Sequence, residues 1–142
     1  MREKNIVSTI EKFAGIEIPL TNTTGKFSFP NNNFLNGKTI TGMWIADNPD
    51  DDQVAPSGAE VVSNAAIAAA NLTMRVNGSD AIVLDVQLSY LKENSGDRQV
   101  RNVWIKDYNP GTSYITFQPT PGTTTQRYTV GQSVVLLLRY ID

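Results

Sequence analysis

The sequence predicts an all-β protein: an antiparallel β-sandwich, jelly-roll-like, with an N-terminal arm or short helix. Three observations carry this. Apolar and polar residues alternate through most of the apolar stretches, the period-two signature of strands. Gly, Pro and Asn cluster between those stretches, where turns belong. No long segment has helical periodicity, and connections of mixed length suit a Greek-key or jelly-roll path better than a simple meander. With 142 residues the chain is long enough for a real core. The expected division is an arm and Asn-rich loop over residues 1–37 and a β-sandwich domain over residues 38–142.

Residues 1–20 combine two patterns. Ile6, Val7, Ile10 and Phe13 fit one face of a short helix, and Ile16, Ile18 and Leu20 alternate like a strand after Gly15. The segment is a helix packed on its own domain, an arm that lies on a neighbour, or an amphipathic helix on a membrane surface, for which it carries few cations. As an arm, its deletion is expected to impair assembly more than folding. Residues 21–37 read as loop, because Gly25, Pro30, three consecutive Asn and Gly37 break any period. Phe27, Phe29 and Phe34 lie inside it and anchor it either to the domain or to a partner.

Residues 38–46 read as a strand. The acidic stretch Asp47 to Asp52 follows. Clustered carboxylates suit a hard cation such as Ca2+, but the spacing lacks the alternation and central Gly of an EF-hand loop, and Pro49 interrupts it. A solvated acidic turn is the competing reading. The run Ala65 to Ala70 is helix by propensity but short for a helix. Its continuity with Leu72, Met74 and Val76 makes it the start of a strand, preceded by at most one helical turn. Small side chains there would let another sheet or subunit approach closely.

Asn71 to Tyr90 forms a β-hairpin. Leu72, Met74 and Val76 share one face, Ile82, Leu84, Val86 and Leu88 another, and Asn77-Gly78 between them tolerates positive φ. Residues 100–108 are the next strand, Asn109-Pro110-Gly111 a turn, residues 113–118 a short strand and residues 119–126 a loop. The closing stretch from Gln132 to Ile141 is apolar on both faces, which predicts a central strand covered on both sides.

The chain has no His and no Cys. Ser-His-Asp and Cys-His chemistry, thiolate sites and the usual zinc and haem ligands are therefore excluded. No Gly-rich phosphate loop is present, and nothing pairs two carboxylates across a cleft. No catalytic residue, cofactor or metal is assigned, and no enzymatic activity is expected. A net charge of −2 without a Lys/Arg cluster argues against nucleic acid as the main partner. Glu3, Lys4, Glu11 and Lys12 interrupt any signal-peptide core, and no apolar run is long enough to span a bilayer. A soluble chain without its own export address is expected. Charged residues are only 18%, so much of the surface is neutral, either covered by neighbours or simply that of a neutral sandwich. Trp44, Trp104 and Tyr108 could stack sugar rings in a carbohydrate-binding module for receptor recognition or adhesion, or could pack within their strands.

An N-terminal arm and an Asn-rich loop lead into GKTITGMWI, a PSG turn, NLTMRV with its hairpin, and the closing YITF and QSVVLLLRYI. In style and order these elements resemble a small single jelly-roll structural protein of an icosahedral bacteriophage. The resemblance covers roughly residues 35–142. It implies a capsid component of the virion, whether a penton or vertex protein, a minor capsid protein or a decoration protein, made in the host cytoplasm. Its partners would be further copies of itself in a ring-like homo-oligomer and other capsid proteins. The charge-balanced N-terminus departs from the strongly basic arms of genome-binding capsid proteins, so no direct nucleic-acid contact is expected. Ile6, Ile10, Phe13, Phe27, Phe29 and Phe34 are the expected assembly contacts.

Overall fold

The computed structural model describes residues 10–30, 33–46, 48, 50–78, 82–91 and 101–142. Among them are strands β1 (Lys12–Pro19), β2 (Lys26–Ser28), β3 (Thr39–Ile45), β4 (Ala70–Val76), β5 (Ile82–Gln87), β6 (Arg101–Ile105), β7 (Tyr108–Phe117) and β8 (Ser133–Ile141), with one helical turn, α1 (Asn64–Ala68). Strand order is β1-β8-β3-β6 in the first sheet and β2-β7-β4-β5 in the second. Every pairing between these strands is antiparallel. The pairs nest: β1 with β8, β2 with β7, β3 with β6, β4 with β5. A long hairpin of four strand pairs, rolled until β3 meets β8 and β4 meets β7, gives this order. It is the jelly roll expected from the turn spacing.

Alternation fixes which face is core. In β8, Val134, Leu136, Leu138 and Tyr140 are buried. The register sets Ile16 and Ile18 of β1 opposite Leu136 and Val134, and Met43 and Ile45 of β3 opposite Leu138 and Leu136. The second sheet supplies Phe27, Leu72, Met74, Ile115 and Phe117 to the same core. Each large aliphatic side chain enclosed there contributes about 1.5–3 kcal/mol by leaving water.

Several expectations are corrected. Phe13 belongs to β1 rather than to a helix, because backbone pairing with β8 runs from Lys12 to Pro19. Ile6 and Val7 lie outside the described residues. Phe27 sits in a strand that pairs with β7, inside what reads as loop. Residue 37 is therefore no boundary in the sheets, since β1 and β2 are members of them. The Ala run splits: Ala65 to Ala68 fall in α1, where the Ser63 hydroxyl accepts from Ala66 N at 3.3 Å, and β4 starts at Ala70. Ala66 and Ala70 are buried in the chain's own core rather than offered to a second subunit.

The hairpin is present, but Asn77 does more than turn. Its amide reaches Asn36 Oδ1 (2.8 Å) and Asp107 Oδ1 (3.0 Å), and its N–H donates to Asp107 O (2.9 Å), joining three connections at one end of the sandwich. A register shift sets Met74 opposite Leu84 but Arg75 opposite Ile82. The extra residue moves Ile82 off the core face, where alternation alone would leave it. The β6–β7 turn falls at Lys106-Asp107, with Asp107 at φ 58°. Tyr108 thus opens β7 instead of closing β6. Asn109-Pro110-Gly111 becomes an excursion inside β7, with Asn109 Oδ1 accepting from Gly111 N at 3.1 Å.

The aromatic cluster of Phe27, Phe117 and Tyr128 closes one end of the core, with ring centroids 4.7–6.1 Å apart. The Tyr128 hydroxyl donates to Asn22 O (2.8 Å) and accepts from Gly25 N (3.1 Å), tying the β1–β2 connection to the chain before β8. Gly25 has φ +81°, and a Cβ there would stand 3.1 Å from Phe117 O, so a side chain fits neither the backbone nor the space.

Two predictions follow from this packing. Leu136→Ala, in the fully buried row of β8, is expected to cost about 2–5 kcal/mol in chemical denaturation. Deleting residues 1–20 removes a strand of the first sheet with Ile16, Ile18 and Leu20. The truncated chain is expected to lose cooperative thermal unfolding altogether, where a dispensable arm would leave the melt intact.

Candidate functional site

The outward faces of the two sheets are unlike. On the first sheet the outer residues of β8 are Val135, Leu137, Arg139 and Ile141, all half-buried. Leu137 lies between Gly15 of β1 and Trp44 of β3. Phe13, in register with Arg139, is 57% exposed. Trp104 of β6 is 68% exposed, the most exposed large apolar side chain among the described residues. A Cβ placed on Gly15 meets no atom within 4 Å, so the space above this position of the edge strand β1 is open. This face is apolar, where the exposed side of an antiparallel sandwich normally carries polar residues.

The charged groups on this face are paired within the chain. Arg139 Nε lies 2.7 Å from Glu11 Oε2, and its Nη2 donates to Thr41 O (2.8 Å) and to Asn102 Oδ1. Thr41 is the extra residue of a β3 bulge, and its hydroxyl donates to Glu11 at 3.0 Å. Glu17 accepts from the Ser57 hydroxyl, from Ser57 N (3.0 Å) and from the Ser133 hydroxyl (2.9 Å). The Ser57 hydroxyl, before the other donors, holds this carboxyl below its usual range. At the corner of the sheet Asp142 meets Lys12 and Lys38, each at 2.7 Å.

The second sheet presents polar rows. The register aligns Lys26, Thr116, Asn71 and Gln87 across four strands, and next to them Ser28, Tyr114, Thr73 and Asp85. The Asn71 amide donates to Asp85. Lys26 Nζ stands 4.3 Å from the Tyr114 ring centroid, with the Arg75 guanidinium at 5.7 Å. The end of α1 and the loop of residues 118–127 wall this face into a groove of about 800 Å³.

The residues singled out from the sequence divide sharply. Ile10, Phe13 and Phe34 are exposed, the last packing edge-on to Tyr140 at 5.9 Å. Phe27 and Phe29 are buried and so offer nothing to a partner, because alternation turns Phe27 of β2 and Phe29 just after it toward the core while Lys26 and Ser28 face out. Ile6 lies outside the described residues. Of the glycan candidates, Tyr108 is fully buried and burial pushes its hydroxyl pKa far up. Trp44 is half-buried with its Nε1 enclosed and unbonded, and only Trp104 stands clear.

Asp50, Asp51 and Asp52 are exposed, and among the described residues no group of three His, Cys, Asp or Glu is set to hold a metal. The loop is organised instead by Asn48, which is buried. Its amide donates to Val61 O (2.9 Å), its Oδ1 accepts from Gln53 N (3.0 Å), and its N–H donates to Asn64 Oδ1 (2.8 Å). Sequence reading passed over Asn48 among the carboxylates around it. It also missed the groove. Alternation placed Asp85 and Gln87 together, but only the register brings Asn71 and Thr73 beside them.

Fold and surfaces define the class: a jelly-roll β-sandwich, an architecture shared by capsid shells, lectin domains and cupins, with one apolar and one polar outer face. No family model, curated protein or solved structure matches the chain. No helix among the described residues is long and apolar enough to cross a membrane.

The Asp142 corner carries a prediction. Lys12 foremost, with Lys38, lowers the Asp142 pKa to about 2, against roughly 4 in an unfolded chain. Its contribution is complete above the unfolded value and is lost as pH falls through the folded one. Asp142→Asn is expected to melt below the native protein near neutral pH. The gap should close between roughly pH 4 and pH 2 and shrink in high salt, as read by thermal melts across pH.

Proposed function

We propose that this chain is a virion structural protein, a jelly-roll capsid component of penton or vertex, minor capsid or decoration type, of an icosahedral bacteriophage. It acts by self-assembly and by contacts with other shell proteins, within the capsid. Its role is structural rather than catalytic. The observation that carries this is the apolar outer face of the first sheet. Phe13, Leu137, Trp44, Trp104 and Ile141 leave water only when another surface covers them. The charges beside them are already paired within the chain, so covering the face strands no bare ion. The jelly-roll strand order supports the reading, as does the order of elements in the sequence. A heterologous contact through this face, repeated around an axis, closes a ring.

Glycan binding through Trp44, Trp104 and Tyr108 has less support. Tyr108 is in the core, which leaves Trp104 as the only fully open ring of the three.

Gly15 provides a clean test. Its φ is not positive and the space above it is open, so Gly15→Arg adds bulk to the apolar face without strain. Size-exclusion light scattering and negative-stain microscopy are expected to show closed rings of the native protein. Gly15→Arg and Trp104→Glu should give monomers with an unchanged melting temperature. A native protein that stays monomeric at micromolar concentration would sink the proposal.

A further inference from the structure

The outer face of the second sheet has no use in a contact made by the first. Its side chains are those that exchange hydrogen bonds with hydroxyl groups. Amides and Thr hydroxyls both donate and accept, as a sugar hydroxyl does, and a carboxylate accepts from two donors at once. Asn71 spends its amide N–H on Asp85, which orients both. The Asn71 Oδ1 and the second Asp85 oxygen are left to accept. The Thr73 hydroxyl, on a residue only 5% exposed at the groove floor, has no partner among the described residues.

The rest of the lining is apolar and placed at the sides. Ile82, moved outward by the β5 register shift, is half-exposed at one side. Pro119 and Pro121 stand in the opposite wall, and Ala68 closes the end. These suit the C–H faces of a sugar ring. The wall is braced by its own hydrogen bonds: Thr120 N to Thr125 O (2.9 Å), Thr123 N to Thr120 O (3.0 Å) and the Thr123 hydroxyl to Thr120 O (2.8 Å). A preformed wall lowers the ordering cost of binding. The volume of about 800 Å³ falls within the roughly 300–1,000 Å³ of small-ligand sites.

Charge selects among hydroxylated ligands. Asp85, at the β5 end of its row and beside Asn71 and Thr73, repels a sulfate, phosphate or sialate group. Lys26 and Arg75 stand over the Tyr114 ring, and Arg127 is at the rim.

We propose that this groove binds a neutral oligosaccharide, its hydroxyls held by Asn71, Thr73, Asp85 and Gln87 and its C–H faces resting on Ile82 and the loop prolines. This site lies on the opposite sheet from Trp44 and Trp104 and does not rest on the virion reading. A jelly-roll shell protein and a free adhesion module would use it alike.

The full chain can be tested by calorimetry against lactose, maltotriose and triacetylchitotriose, with sialyllactose and a heparin disaccharide as anionic controls. At least one neutral probe is expected to bind. Asp85→Ala and Gln87→Ala, both at exposed positions, should each weaken it about tenfold with no change in melting temperature or oligomer size. Trp104→Ala should leave sugar affinity unchanged. The proposal is overturned if no neutral probe binds at millimolar concentration or if the anionic probes are preferred. It is equally overturned if binding responds to Trp104→Ala and not to Asp85→Ala. Because oligomer size is read separately, loss of sugar binding and loss of assembly are distinct results.

Discussion

The structure depends on β8 being apolar on both sides. It lies between β1 and β3 and makes both pairings of the first sheet's centre. Its inner row, Val134, Leu136, Leu138 and Tyr140, fixes which residues of β1 and β3 enter the core. A slip of one residue in either pairing would turn Ile16 or Met43 outward and expose the core. The same strand, by the same alternation, puts Val135, Leu137 and Ile141 on the opposite side. Core and apolar outer face are thus two consequences of one strand. Arg139 is the exception in the outer row, and it is tolerated because Glu11, Thr41 and Asn102 satisfy its guanidinium.

Much of the fold was legible because it is written in alternation. The inward set of β1, the strands β3 and β4, the hairpin and β8 all follow from a period of two. What failed to show has physical reasons. β2 is three residues long, and a strand that short has no period to detect; Phe27 is committed to the core by pairing with β7 rather than by its neighbours in sequence. The β6–β7 turn sits at Lys106-Asp107, where no Gly or Pro announces it, because Asp107 takes the left-handed conformation itself. That shift of the turn also reversed the fate of Tyr108. The eligible aromatics of the surface were therefore misjudged: Trp104 and Tyr108 are four residues apart in sequence, one open and one enclosed. Asn48 and Tyr128 were invisible for another reason. Their side chains bond to backbone groups brought into place by the finished fold.

Self-association through a face, rather than an edge, is consistent with how the edges are treated. β1 and β6 border the first sheet, β2 and β5 the second. β2 is only three residues long, too short to template another strand. β1 ends at Pro19, and the turn around Ser57 is tied to Glu17 near that end. β5 carries Asp85 and Gln87 on its outer side. These features of β1, β2 and β5 discourage strand addition, while the apolar side of the first sheet has no matching protection.

The two faces differ in what can cover them. A surface of Phe13, Leu137, Trp44 and Trp104 gains by leaving water, whereas Asn71, Thr73, Asp85 and Gln87 lose hydration unless each finds a partner. A protein neighbour on the first sheet is favoured by area alone. On the second it must supply a matching set of donors and acceptors. In the proposed assembly the first face would turn toward other copies and the second toward solvent. The groove would then stay open at the outside, where the proposed hydroxyl-rich ligand would replace its water bond for bond. This follows from the sequence of β4 and β5, whose inward residues build the core while the outward ones keep the polarity that β8 lacks.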